Sequence, residues 1–458
     1  MNTYTDKYQD CLAYIDSYWD KIISAPAKKK INRHIIDIPY FFVTPNDKKF
    51  RFIFYWDSYF ISRGLLGTKR EWLVKSMVEN FLYLYEKYHF IPNFNALAAM
   101  GRSQPPFLTS MIMDAYAVLS RGKSPTQQLK NSLSKIFLKK GYANSWLEKT
   151  IEVAIREYAN VWIDLQNNYH HRVKDFDLSR YGDRDLGYAH SSELESGWDF
   201  TSRFYNRCDE FLPIDLNVYL YKYEKDFAKA SEILLNQDLV KDWNKKANLR
   251  KRLINKYMWN QKKGFFYDYN YRFQRQSDFL SLAGFTPMWA GLATAEQAKR
   301  MIKMLRHFET EYGLTITDSA SLAPKMDLTK TPLRYRPAIE AILQPKQWDY
   351  PNIWPPLEYL TVIGLLRYGF IKEATRIMEK SLKTHARLFR KYGTFFEKID
   401  GAKGDQSANY HYQAQTGFGW TNAVFYRYIQ ILDDLKASKS IFKTSGSKKP
   451  PYPLAIYH

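Results

Sequence analysis

Glu195-Ser196-Gly197-Trp198-Asp199-Phe200-Thr201-Ser202-Arg203 sets a carboxylate beside a large indole, directly after a glycine that lets the backbone turn tightly. An apolar ring next to a carboxyl group disfavours its charged form and raises its pKa, which suits a general acid. Alone, the pair is a weak signal, for Trp-Asp is usually a core tryptophan beside a capping aspartate. The chain repeats the pattern, however. Tyr55-Trp56-Asp57-Ser58-Tyr59 and Gln347-Trp348-Asp349-Tyr350-Pro351 are two more Trp-Asp elements, and Phe395-Phe396-Glu397-Lys398 sets a glutamate against aromatic rings. Aromatic-flanked carboxylates so far apart in sequence read as the lining of one sugar pocket.

Around these motifs the chain reads as helical. Apolar residues recur at helical spacing in 5–24, 69–88, 107–119, 144–165, 213–236, 238–257, 294–308, 356–369, 371–391 and 418–437. In 69–88, for example, Leu73, Met77, Phe81 and Leu84 share one face. Alternating strand patterns are few and short, and no solenoid period is found. Many amphipathic helices in one chain need each other's apolar faces, so the expected class is all-α, helix packed on helix. Several motifs stand just before a helix. Arg102-Ser103-Gln104 precedes Pro105-Pro106, Gln347-Trp348-Asp349 precedes Trp354-Pro355-Pro356, and Pro213 precedes Asp215-Leu216-Asn217. Proline is tolerated in a first helical turn, where an N–H lacks an intrahelical partner anyway. If those helices form the inner ring of a helical barrel, the loops open on one face and build one pocket.

Composition bounds the rest. The 458 residues include 36 Tyr, 29 Phe and 12 Trp, enough for a large core and for rings that stack on sugars. Cys11 and Cys208 make neither a disulfide framework nor a zinc site, and His170-His171 are adjacent rather than at ligand spacing. No metal and no cofactor are expected. The N-terminus lacks a basic segment followed by an apolar run, and no stretch reaches the ~18 apolar residues of a membrane span. The expectation is a soluble cytoplasmic chain without a membrane partner, acting as a monomer on a small sugar. The net charge of +21 admits an anionic surface or substrate, but the basic residues are spread along the whole length. No nucleic-acid module appears, which excludes that partner class. Expected divisions are an N-terminal helical segment (1–38) packed on the barrel, the barrel itself (39–435), and a basic, flexible tail (436–458).

The motifs together resemble the trehalase family of glycoside hydrolases over about residues 40 to 430. The Tyr-Trp-Asp-Ser-Tyr-Phe signature is matched by Tyr55 to Phe60, and Gln-Trp-Asp-x-Pro-x-Gly-Trp-x-Pro by the stretch that starts at Gln347, with Ile353 in place of the glycine. Between and after them come Ile91-Pro92-Asn93, Arg102 to Pro106, Ser196 to Asp199, Glu397-Lys398-Ile399-Asp400 and Gly417 to Asn422. The resemblance implies an (α/α)6 barrel that hydrolyses trehalose with inversion and no cofactor. It implies Asp199 as general acid and Glu397 as general base. This fits an inverting glycosidase, whose two carboxyl groups stand about 6.5–9.5 Å apart around a water. Phe50, Trp56, Asp57, Asn93, Arg102, Gln104, Gly197 and Trp348 are the implied sugar-binding positions.

The departures fall on the leaving-group side. Lys48-Lys49-Phe50 stands where the family has Gly-Gly-Arg-Phe, so Lys49 takes the place of an arginine, and a point charge is no substitute for a planar fork. The Arg-Pro-Glu-Ser-Tyr segment is absent, leaving Arg180, Asp183 or Arg184 as compensating candidates. His411 stands where the glycine-rich lid carries a glutamate. Lys49, Arg184 and His411 are therefore expected at the rim. Three readings remain: a trehalase, the same machinery acting on another glucoside (an anionic or phosphorylated one included), or a sugar-binding relative with weakened turnover.

Overall fold

A computed structural model describes residues 3–26, 33–121, 133–163, 171–182, 191–322, 345–407 and 412–445. The helix Tyr55–Leu65 is buried at every residue, and Pro355–Arg367 is buried from Pro355 through Leu366. A helix buried all round belongs inside a larger helical assembly. Ile371–Tyr392 is the opposite kind. It buries Ala374, Ile377, Met378, Ser381, Leu382 and His385 on one stripe, at the three- and four-residue spacing of a helix face.

Two such layers make the architecture. Among the described residues six helices touch in a closed ring: Tyr55–Leu65, Leu108–Ser120, Ile214–Ile233, Thr286–Trp289, Pro355–Arg367 and Gly419–Ser445, the last returning to the first. Trp72–Tyr88, Leu133–Glu157, Gln237–Met258, Ala295–Met301 and Ile371–Tyr392 each follow an inner helix in the chain. Gln9–Ile22 packs outside the last inner helix. The fold is thus the (α/α)6 type. Its strands are two-residue ribbons in the connecting loops.

Because each outer helix carries the chain back, the inner helices run parallel and their N-termini share one face. Aromatic rings fill the barrel below that face. Tyr59 stacks on Phe107 at 4.4 Å, and Tyr219 lies 4.6 Å from Phe107 and 5.8 Å from Trp289. Buried Arg63 pairs with Asp114 and donates Nε to the Tyr359 hydroxyl at 3.1 Å, which ties three inner helices together. Breaking such a buried pair costs about 3–5 kcal/mol.

Several element bounds differ from the sequence expectation. Tyr55–Leu65 lies outside the periodic stretches, because its polar residues Asp57, Ser58, Ser62 and Arg63 are buried as well and mark no solvent face. The stretch expected at 144–165 begins at Leu133 and ends in a π-turn, Tyr158–Trp162. The one expected at 294–308 changes to a 3-10 helix at Ile302. The last inner helix runs on through Ser445, past the boundary expected at 436, and residues 446–458 lie outside the described ones. At the other end the Tyr4 and Thr5 amides donate to the Asp433 carboxylate at 2.6 and 3.0 Å, and Tyr8 meets Phe425 edge-on.

Candidate active site

Asp199 sits on a loop built to hold one shape. Gly197 has φ +74°, and a Cβ there would lie 2.8 Å from the Trp56 ring, so both conformation and space require glycine. Trp198 is fully buried, with the Arg203 guanidinium 4.5 Å from its ring centre. Arg203 is buried too, forked between Asp215 at 2.7 and 3.0 Å and Asp268 at 2.7 and 2.8 Å. Past the acid, Asp349 accepts from the Ser202 amide and hydroxyl at 2.9 and 2.7 Å and from the Thr201 hydroxyl at 3.1 Å. Gln347 Nε2 donates to the Asp199 carbonyl at 3.0 Å. The Trp348 amide donates to Phe200 O at 3.3 Å, so all three residues of Gln-Trp-Asp brace the loop that carries Asp199.

Glu397 comes from a separate loop, after Ile371–Tyr392. Its amide donates to Gln415 O at 2.8 Å, and Trp420 Nε1 donates to its carbonyl at 2.9 Å, fixing the backbone to the start of the last inner helix. Its carboxylate accepts from the Tyr412 hydroxyl at 2.8 Å and from Lys398 Nζ at 3.3 Å. Lys398 is fully buried, 4.7 Å from the Trp354 ring centre, and burial lowers its pKa.

Both carboxyl groups line one cleft, together with Phe50, Trp56, Asp57, Gln104, Gly197 and Trp348. Burial, above all, pushes the Asp199 pKa up to about 7. Arg102 and Lys398 oppose that shift, while Glu193 and Glu397 reinforce it. Asp57, in the first turn of its helix, is held well above the usual carboxylate range by burial and then by Glu397. Gln104 lends its side-chain oxygen to the Trp56 amide at 3.1 Å, and Trp348 stacks on Trp354 at 3.8 Å. The throat offers about 60 Å³. That is less than the roughly 300–1,000 Å³ of a site enclosing a whole small-molecule ligand. A roomier cavity of about 570 Å³ lies beside Tyr205, Phe273 and Arg275. It contains neither Asp199 nor Glu397, and the chemistry follows the convergent carboxyls rather than the volume.

The sequence model of one protein family, trehalase, matches residues 3–195 and 187–433. The chain belongs to the trehalase family. The cytosolic neutral trehalase of Kluyveromyces lactis is 30% identical over 432 residues, covering 82% of this chain and 54% of that protein. The chain spans about half the length of the curated relatives it matches. Among solved structures, the neutral trehalase of Saccharomyces cerevisiae superposes with a TM-score of 0.69 at 27% identity, over 85% of this chain and 73% of that one. The family 63 mannosylglycerate hydrolase of Thermus thermophilus gives 0.59 at 14% identity, over 92% and 99%, and shares the helical-barrel fold.

Not every position implied by the trehalase resemblance reaches the cleft wall. Asn93 is buried one layer back, its amide donating to Arg102 O and its carbonyl accepting from the Tyr55 amide. Arg102 is half-buried, and its Nε is covered and without a hydrogen-bond partner. Lys49 is exposed, one residue from wall-lining Phe50. Arg184 and His411 lie outside the described residues, as does Asp183. Trp354, Tyr412, Phe418 and Trp420 line the cleft without having been singled out. Trp354, Phe418 and Trp420 stood inside quoted motifs, and Tyr412 was hidden in the segment that departs from the family pattern. His171 is buried, with Nε2 2.8 Å from Glu195 and Nδ1 2.7 Å from Val161 O. Among the described residues no group of side chains is arranged to hold a metal, and no helix is long and apolar enough to cross a membrane.

Proposed function

We propose that this chain hydrolyses trehalose to two glucose molecules with inversion, Asp199 acting as general acid and Glu397 as general base. The observation that carries the reading is that Asp199 and Glu397 line one cleft in unlike surroundings. Asp199, with its pKa pushed up to about 7, keeps a proton to give near neutrality. Glu397 accepts two hydrogen bonds, one from the Tyr412 hydroxyl and one from the Lys398 ammonium, and is thereby held in place. The Asp199 proton passes to the glycosidic oxygen as the C–O bond breaks. Glu397 takes a proton from a water that attacks the anomeric carbon from the opposite face.

The rings of Trp56, Trp348 and Phe50 offer flat apolar faces to a glucose unit. Asp57, Arg102, Gln104 and the backbone at Gly197 supply hydrogen bonds to its hydroxyls, and Asn93 holds the backbone of Arg102 behind them. The covered, unpartnered Nε of Arg102 supports that role for the arginine. Lys49, Arg184 and His411 are assigned to the leaving-glucose side. The reaction needs neither cofactor nor metal. The barrel, whose last inner helix runs to Ser445, works as a monomer on a small sugar. The relatives named cytosolic support a cytosolic setting.

The test is proton NMR of fresh product. Inversion at one carbon of trehalose releases one β- and one α-glucose, whereas retention releases α-glucose alone. α-Glucose alone overturns the assigned roles. No turnover of trehalose alongside turnover of trehalose 6-phosphate or another glucoside overturns the substrate.

A further inference from the structure

Besides its neighbour Lys398, the side chain in hydrogen-bond contact with the Glu397 carboxylate is Tyr412. Its hydroxyl donates to Oε1 at 2.8 Å, while Lys398 Nζ reaches Oε2 at 3.3 Å. The ring itself is wedged. The Lys398 ammonium lies 4.1 Å from its centre, and Phe50 meets it edge-on at 6.4 Å. The backbone delivers the two residues together, because Phe396 and Thr416 form an antiparallel bridge and the Glu397 amide donates to Gln415 O.

We propose that Tyr412 is the positioning residue of the general base: its phenol and Lys398 each pin one oxygen of Glu397, which fixes the carboxylate plane toward the attacking water. This rests on the reading of Glu397 as base given above. Lys398 alone leaves a carboxylate free to pivot, and a misaligned base loses much of the advantage of a fixed reacting geometry. A neutral donor also orients the carboxylate without adding a second positive charge. The phenol is suited to this, since burial first and the Glu397 charge second hold it protonated well above its usual range. The other charged or titratable groups that act on this cluster are Asp57 and Asp199, beside Lys398 itself.

Tyr412→Phe removes only the hydroxyl. It should lower kcat on trehalose by roughly tenfold or more with KM changed less than about threefold, since alignment is a transition-state effect. It should also move the acidic limb of the kcat profile up by about one pH unit, because a lost donor disfavours the ionised carboxylate. Site-specific 3-fluorotyrosine at position 412 keeps the shape but is a stronger donor, and should move the same limb the other way. If Tyr412→Phe does not fold, judged by its circular dichroism melt, the fluorotyrosine protein decides alone. An unmoved limb in both proteins, or a raised KM with unchanged kcat, overturns the proposal. If Glu397→Gln itself keeps normal turnover, what fails is the assignment of the base, a different result from failure of its positioning.

Discussion

Trp198-Asp199 and Trp348-Asp349 are the same dipeptide in the same wall, yet only the first carboxyl opens on the cleft. Asp349 is fully buried and met by donors: the Ser202 amide and hydroxyl, the Thr201 hydroxyl and the Lys346 amide, all at 2.7–3.1 Å. Asp199 is met by charges instead, with Arg102 and Lys398 on one side of the balance and Glu193 and Glu397 on the other. Burial raises the Asp349 pKa as well, but its donors oppose that rise and make the carboxylate a strut. One set in low dielectric among competing charges can hold a proton and release it. The tryptophans differ less, for both rings pack in one aromatic cluster, 5.6 Å apart. The partners of the carboxyl, and not the dipeptide, separate the roles.

The largest effect should come from the two cleft carboxyls. Asp199→Asn and Glu397→Gln should each cut trehalose turnover by about 10²–10⁴ while the helical fold, read by circular dichroism, is unchanged. They should part company on a glucosyl fluoride that the cleft accepts. Fluoride departs with less protonation, so Asp199→Asn regains much of its rate and Glu397→Gln does not. Equal losses on both substrates would break the division of labour.

Asp349→Ala should do the reverse. It strands the donors of Thr201, Ser202 and Lys346, at about 1–3 kcal/mol for each group left buried and unpaired. With some relaxation, unfolding by urea should become easier by about 2–4 kcal/mol. The kcat should stay within about tenfold of wild type where the variant is folded. A variant as inactive as Asp199→Asn with an unchanged urea midpoint would place Asp349 in the machinery and erase the contrast.

Much of this was legible in the sequence, and for identifiable reasons. The outer helices showed themselves through one-sided stripes such as that of Ile371–Tyr392. The fully buried inner helix Tyr55–Leu65 did not, since nothing about it is periodic, and only its Trp-Asp motif drew attention. Asp199, Glu397 and the Trp-Asp elements were found as local motifs. The partners that tune them are distant in sequence: Lys346 is 145 residues from Thr201, whose carbonyl it binds, and Tyr412 reaches Glu397 through a bridge of loops. Asp349 was read with its motif as pocket lining, because a dipeptide carries no record of which donors fold onto it.

The smallest expected effect is also the most direct test of why Asp199 differs from Asp349. The folded-state pKa of Asp199, about 7, lies above its ordinary value of 3.8. The folded chain therefore keeps a proton that the unfolded chain has released, and stability falls as pH rises between those two values and is flat above them. The whole interval would correspond to about 4 kcal/mol. Asp199 is partly open to water in the cleft, and that screening reduces the figure to the order of 1–2 kcal/mol. Asparagine is neutral throughout, so Asp199→Asn should match wild type near pH 4 and exceed it at pH 8. Other buried acids such as Glu193, pushed up to about 7 by burial, titrate in both proteins and largely cancel in the difference. Urea midpoints of the two proteins from pH 4 to pH 8 measure it. A variant no more stable than wild type at pH 8 would mean that the cleft does not hold Asp199 against ionisation, and the acid would then owe its proton to the bound substrate instead.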